Sequence, residues 1–154
     1  MRRFRVGKVV QGLLLGTCTA VVLALTLFVQ GRPGVRTNLA PFEDLQRLSA
    51  LASRRGMLSN GVLFAVAGIA GNLVMFAAWA YLAWKFLDGK GRSPWRNDVD
   101  VLVAGTLFSV GIEAVQLFLP TRAADINDVF WNVLGTVAGL LLAHLGTMVQ
   151  LDWE

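Results

Sequence analysis

The stretch VLVAGTLFSVGIEAVQLFLPTRAADINDVFWNVLGTVAGLLLAHLGTMV, residues 101–149, holds two long apolar runs joined by a short polar link. Each run, Val101–Leu119 and Val129–Val149, is close to the roughly 20 apolar residues that a helix needs to cross a bilayer. Backbone groups in lipid have no water to bind, so such runs are satisfied as helices. A link this short makes the two helices antiparallel neighbours and gathers its polar residues at one end of the pair.

Two further runs of the same kind precede them. Val9–Val29 carries no charge, and Leu58–Trp84 has Asn60 and Asn72 as its most polar members. Almost every other charged residue falls in a connection or at a terminus. Of the 154 residues 55% are hydrophobic and 16% charged, against roughly 25% charged in soluble domains. A chain this apolar is not disordered, and it has too little polar surface for a soluble enzyme. One cysteine, Cys18, excludes a disulfide scaffold and a Cys-based zinc site. The net charge of +4 is scattered between apolar runs and not gathered on one face. The lipid bilayer is therefore the expected partner, and nucleic acid is not. The expected fold is all-α: a single domain over residues 1–154, a four-helix transmembrane bundle with spans at about 9–29, 58–84, 101–119 and 129–149, and a short amphipathic surface helix between helices one and two.

That surface helix is read from the first connection. After the turn signal Arg32-Pro33-Gly34, the residues Phe42, Leu45, Leu48, Leu51 and Ala52 recur near helical spacing, and Gly56 is placed to end the helix. Its arginines are expected among anionic lipid headgroups. Lys and Arg flanks set orientation. Arg2, Arg3, Arg5 and Lys8 precede the first run, and Lys85, Lys90, Arg92 and Arg96 follow the second, so both segments are expected on the cytoplasmic side with both termini. A basic start before an apolar run is also the pattern of a cleaved signal. The run is longer than a signal core of 7–15 residues, which favours a retained anchor, and Leu15-Gly16-Thr17-Cys18 fits a lipoprotein cleavage box poorly. Trp153 is expected as an interface anchor.

An ionisable side chain inside a span is costly and marks a functional candidate. Glu113 lies seven residues before Pro120, roughly 10 Å below the helix end. Gln116 shares its face. Beyond the link, Asp125, Asp128 and Asn132 stand three and four apart and fall on one helical stripe. Asp125 also suits an N-cap, with Asp128 in the first turn favoured by the helix dipole. Glu113, Gln116, Arg122, Asp125, Asp128 and Asn132 can thus converge on one outer pocket. There Arg122 would neutralise a carboxylate by a bidentate contact, or Glu113, Asp125 and Asp128 would hold a divalent cation, which prefers oxygen ligands. Asn72 is read as an interhelical hydrogen bonder, and His144, with no acid near it in the sequence, as a packing residue. Gly12 with Gly16, Gly68 with Gly71 or Asn72, and Gly135 with Gly139 have spacings that permit close helix approach.

Asn38-Leu39-Ala40-Pro41-Phe42 resembles the NLxPF element that follows the first helix in VanZ-like membrane proteins, and Asn72-Leu73-Val74-Met75-Phe76 resembles their helix-two asparagine motif. The segment from Glu113 to Gly135 resembles the family's ExxQ…R…D…DxxxNxxG signature: Glu113, Gln116, Arg122, Asp125, Asp128, Asn132 and Gly135 stand at its fixed positions. Ala78 and Ala80 stand where members often have proline and glycine. The likeness runs from about Val9 to Val149 and implies a multi-pass protein of the cytoplasmic membrane. The family's namesake is linked to low-level resistance to teicoplanin, a lipoglycopeptide.

The expected function is binding or modulation of a lipid-linked cell-wall precursor or a lipoglycopeptide at an extracytoplasmic polar pocket. Its candidate residues are Asn38, Asn72, Glu113, Gln116, Arg122, Asp125, Asp128 and Asn132. The alternatives are an intramembrane enzyme acting on a lipid headgroup, with Glu113 as general acid or base, and a small transporter. No nucleophile motif, paired histidines or phosphate loop favours the enzyme. A homo-oligomer is compatible with each reading.

Overall fold

The computed structural model describes residues 7–28, 37–89, 91–120 and 122–148. Arg2, Arg3 and Arg5 of the N-terminal basic cluster, Lys90, the Arg32-Pro33-Gly34 turn and Trp153 lie outside the described residues. The chain is all-helical. Helix α1 spans Lys8–Leu23 and runs on as a π-helical turn over Ala24–Phe28. It is followed by α2, Glu43–Arg55, α3, Asn60–Leu87, α4, Pro94–Gln116, and α5, Ile126–Met148.

Each boundary has a local cause. Gly56, at φ +81°, ends α2 in a conformation that a side chain resists. Pro94 occupies the first turn of α4, where its missing N–H costs nothing. The far end of α4 tightens through Phe118 N–H to the Val115 carbonyl and Leu119 N–H to the Gln116 carbonyl before Pro120. Thus α4 starts seven residues ahead of the expected span at 101 and stops short of 119. Three helical stretches, Lys8–Phe28, Asn60–Leu87 and Ile126–Gly146, are long and apolar enough to cross a membrane. Helix α4 is not among them; it carries Arg96, Asp98 and Asp100 in its first turns and buries Glu113 further along.

Helices α3 and α5 form the central pair. A Cβ on Gly135 would lie 2.5 Å from the Leu73 carbonyl oxygen, and one on Gly139 would overlap that of Ala77. Only glycine permits this approach. Of the other small-residue spacings, Gly12 meets the Phe86 ring, whereas Gly16, Gly68 and Gly71 face open space and do not serve helix packing. The core beside the pair joins Trp79, Ala80, Ala83 and Trp84 of α3 to Val101 of α4 and to Leu140 and Ala143 of α5. A second cluster of Val22, Phe76 and Ile112 brings in α1. Trp79 donates its indole N–H to Thr19 Oγ1 at 3.0 Å, tying α1 to α3. Elsewhere large apolar side chains such as Leu13, Phe64, Val74, Leu107 and Leu141 are exposed, as expected of a surface solvated by acyl chains.

The two ends of the bundle differ. At one end Lys8 Nζ donates to the carbonyls of Lys85, Phe86 and Asp88, a cation on the C-terminus of α3. This places the start of α1 beside the basic α3–α4 connection. His144 lies at the same end, and the expectation that it lacks an acidic neighbour is corrected. Its Nε2 is 2.9 Å from Asp98 Oδ1, which also accepts the Trp84 indole N–H at 2.8 Å. The partner sits on α4, 46 residues away in sequence. At the opposite end lie α2, the π-helical turn and the α4–α5 link.

Candidate functional site

The link before α5 is held by residues from three parts of the chain. The segment leading into α2 runs beside it as a short parallel bridge: Asn38 N–H donates to the Ala124 carbonyl at 2.9 Å, and Ile126 N–H to the Asn38 carbonyl at 3.0 Å. Asn38 Nδ2 donates to Asp125 Oδ2 at 3.2 Å. Asp125 Oδ1 accepts the backbone and side-chain N–H groups of Asn127 at 2.9 and 2.8 Å. Asp125 therefore caps α5. From the core side, Glu113 Oε2 accepts the Asp125 backbone N–H at 2.6 Å.

Asn127 completes the join and is absent from the candidates read in the sequence. Its Oδ1 accepts the Phe42 N–H at 2.6 Å and its Nδ2 donates to the Ala40 carbonyl at 3.1 Å. Phe42 is held at φ +61°, uncommon for a bulky residue, and its ring packs edge-on against Phe130 with centroids 5.2 Å apart. The only sequence signal was a second asparagine beside two aspartates.

The six polar residues expected to converge on one pocket send their hydrogen bonds to different neighbours. Asp128 turns to α3, where Asn72 Nδ2 donates to its Oδ1 at 2.7 Å. Asn132 turns to α4, donating to Ser109 Oγ at 2.9 Å inside the bundle. Gln116 and Arg122 serve α1 instead. They donate to the carbonyls of Thr26 and Leu25 at 3.0 and 2.7 Å, in the π-helical turn. Helix termini leave carbonyls without intrahelical partners, and these two side chains satisfy them. Among the described residues Arg122 forms no ion pair with Glu113, Asp125 or Asp128; the arginine that does pair is Arg92, with Asp100. The divalent-cation set is corrected on the same ground. No group of three or more His, Cys, Asp or Glu is placed to hold a metal among the described residues. Glu113 and Asp125 already accept protein N–H groups, and Asp128 is turned away to Asn72.

Asp125 and Asp128 instead line a cleft of about 800 Å³ whose other walls are α2 and the first half of α3. Its charged lining adds Asp44, Arg47 and Arg55 from α2, and its apolar lining includes Leu51, Phe64, Ala65 and Ile69. Glu113 lies behind this lining, 8% exposed, as a positioning residue for the Asp125 backbone. Partial burial raises the carboxyl of Asp44 above its ordinary value of 3.8, and the charge of Asp125 adds to the effect, while Trp131 and Arg47 oppose it.

The family model described as VanZ/LLP1 matches residues 13–147. The chain belongs to the VanZ/LLP1 family. The match covers nearly the whole bundle and includes every candidate residue from Asn38 to Asn132. With its three membrane-length helices it identifies this VanZ/LLP1 chain as a membrane protein. No curated protein and no solved structure matches the chain.

Proposed function

We propose that the protein is a multi-pass protein of the cytoplasmic membrane that binds a membrane-borne amphiphile in the cleft between α2, α3 and the start of α5. In this reading all four long helices span the bilayer, both termini are cytoplasmic, and the cleft opens at the extracytoplasmic face. Orientation is supported by Lys8, Lys85 and Arg96, which gather at the opposite end. The observation that carries the proposal is the lining itself. Five charged side chains share one cavity with Leu51, Phe64, Ala65 and Ile69, and Phe64 is 71% exposed. A cavity with charged side chains on α2 and α5 and apolar ones on α3 suits a ligand with a headgroup and a chain. A role in the envelope's response to glycopeptides follows if that ligand is a lipid-linked wall precursor or the lipoglycopeptide itself.

Gly68 gives the test. It lines the cleft, and a Cβ there meets nothing within 4 Å. Gly68→Trp fills the cavity without disturbing the helix pair, and Gly16→Trp, on the open face of α1, is its control. Native mass spectrometry of protein purified from membranes reads retained lipid. The expected result is loss in Gly68→Trp and retention in wild type and Gly16→Trp. Equal retention in all three overturns the proposal.

A further inference from the structure

Both arginines of the cleft come from α2, and two of its three acids come from the start of α5. Arg47, Leu51 and Arg55 recur at four-residue intervals, so α2 presents them as one stripe, and all three line the cleft. The two guanidinium-bearing positions are about 12 Å apart along the helix axis. Across the cavity stand Asp125 and Asp128, with Asp44 at the near end of α2. Among the described residues, no ion pair within 4 Å joins either arginine to any of these acids. Opposite charges thus share one cavity without closing into a direct ion pair.

The acids are not equivalent. Both oxygens of Asp125 accept hydrogen bonds from Asn38 and Asn127. Asp128 has Oδ1 taken by Asn72, while Oδ2 has no such partner among the described residues. A purely anionic headgroup would suit the arginines but confront three carboxylates. A purely cationic one would suit the carboxylates but confront two guanidinium groups. Guanidinium matches phosphate by paired N–H donors, and an ammonium group has three donors for a carboxylate oxygen.

We infer that the cleft selects a zwitterionic aminophospholipid, its ammonium on Asp128, its phosphate on Arg47 and Arg55, and its acyl chain along Phe64 and Ile69. This rests on the proposed amphiphile site and names its ligand class. It also accounts for a basic helix at the extracytoplasmic end, since the arginines there are matched by phosphate and not by the cytoplasmic charge rule.

The full-length protein is titrated in detergent with phosphatidylethanolamine, phosphatidylglycerol and a synthetic trimethylammonium lipid of matched chains. Bound lipid is read by native mass spectrometry, with soluble phosphoethanolamine as competitor. Phosphatidylethanolamine is expected to bind about tenfold more tightly than either other lipid, one charge-assisted contact's worth, and the soluble headgroup to compete only weakly. Asp128→Asn is expected to erase the preference over phosphatidylglycerol. Arg47→Gln with Arg55→Gln, both on the exposed surface of α2 and safe for the fold, is expected to weaken both phospholipids and spare the cationic lipid. If phosphatidylglycerol or the cationic lipid binds as well as phosphatidylethanolamine while Gly68→Trp still abolishes binding, the zwitterion inference fails and the amphiphile site stands. Effective competition by soluble phosphoethanolamine overturns the lipid as the source. Binding of all three lipids unchanged by Gly68→Trp overturns both.

Discussion

Glu113 and Asp125 meet through the backbone of one and the side chain of the other: Glu113 Oε2 accepts the Asp125 N–H at 2.6 Å. The buried carboxylate of α4 thereby fixes the residue that caps α5, pairs with Asn38 and lines the cleft. Its role is to hold a backbone in place, and the acid pocket expected from spacing alone is divided among neighbours on α1, α3 and α4.

Glu113→Ala removes the acceptor and leaves a buried N–H without a partner, which costs about 1–3 kcal/mol. Glu113→Gln keeps a carbonyl oxygen of the same reach and is expected to stay within about 1 kcal/mol of wild type. Thermal unfolding in detergent checks both. Equal losses in the two variants would mean that the charge, and not the hydrogen bond, is what the position supplies.

Asp44 predicts a pH dependence. Its carboxyl is raised from 3.8 by burial and by Asp125, so the folded protein holds that proton more tightly than the unfolded chain. The stabilisation is complete below the unfolded value near 3.8 and is lost as pH rises through the raised folded value. Asp44→Asn cannot ionise. Its melting temperature relative to wild type is therefore expected to climb as pH rises from the unfolded value near 3.8 through the raised folded value. A difference that is flat or falling across that range contradicts the assignment.

The long apolar runs and the Phe42–Gly56 surface helix were legible because hydropathy and periodicity are local properties. The Asp125 cap was legible because its spacing to the helix start is local too. What was not legible depends on which helices touch. The stripe through Asp125, Asp128 and Asn132 spans enough of the helix circumference for its members to face different neighbours, Asn72 on α3 and Ser109 on α4. Arg122 reads as a carboxylate partner until the π-helical turn of α1 supplies the Leu25 carbonyl. Arg47 and Arg55 read as contacts for anionic lipid headgroups, and that they line a cleft is evident only once α2 is placed over α3.

Close packing of α3 on α5 predicts a contrast between glycines. Gly135→Ala and Gly139→Ala place a methyl against the carbonyls of Leu73 and Ala77, and backbone cannot yield as a flexible side chain does. Overpacking of this kind costs about 1–3 kcal/mol. Gly71→Ala meets nothing within 4 Å and replaces a mid-helix glycine, so it is expected to be neutral or stabilising by up to about 1 kcal/mol. Unfolding temperatures of the three variants in one detergent rank them. A Gly71→Ala loss as large as that of Gly139→Ala would place the helix contact elsewhere.

Asp98 predicts an energetic coupling at the opposite end of the bundle. It accepts the Trp84 indole N–H at 2.8 Å and lies 2.9 Å from His144 Nε2, while the His144 ring stands edge-on to Trp84 with centroids 5.2 Å apart. Two side chains, from α3 and α5, therefore share one carboxylate on α4, and removing it strands the indole N–H of a residue that is 3% exposed. Asp98→Ala and His144→Ala are expected to be less than additive in the double variant, since whichever goes first has already broken the contact. Couplings of this kind in membrane proteins average about 0.6 kcal/mol, and a shared acceptor in a buried network should reach at least that. A double-mutant cycle on unfolding free energies measures it. Strict additivity would show that Asp98 and His144 are neighbours without an interaction that the fold depends on.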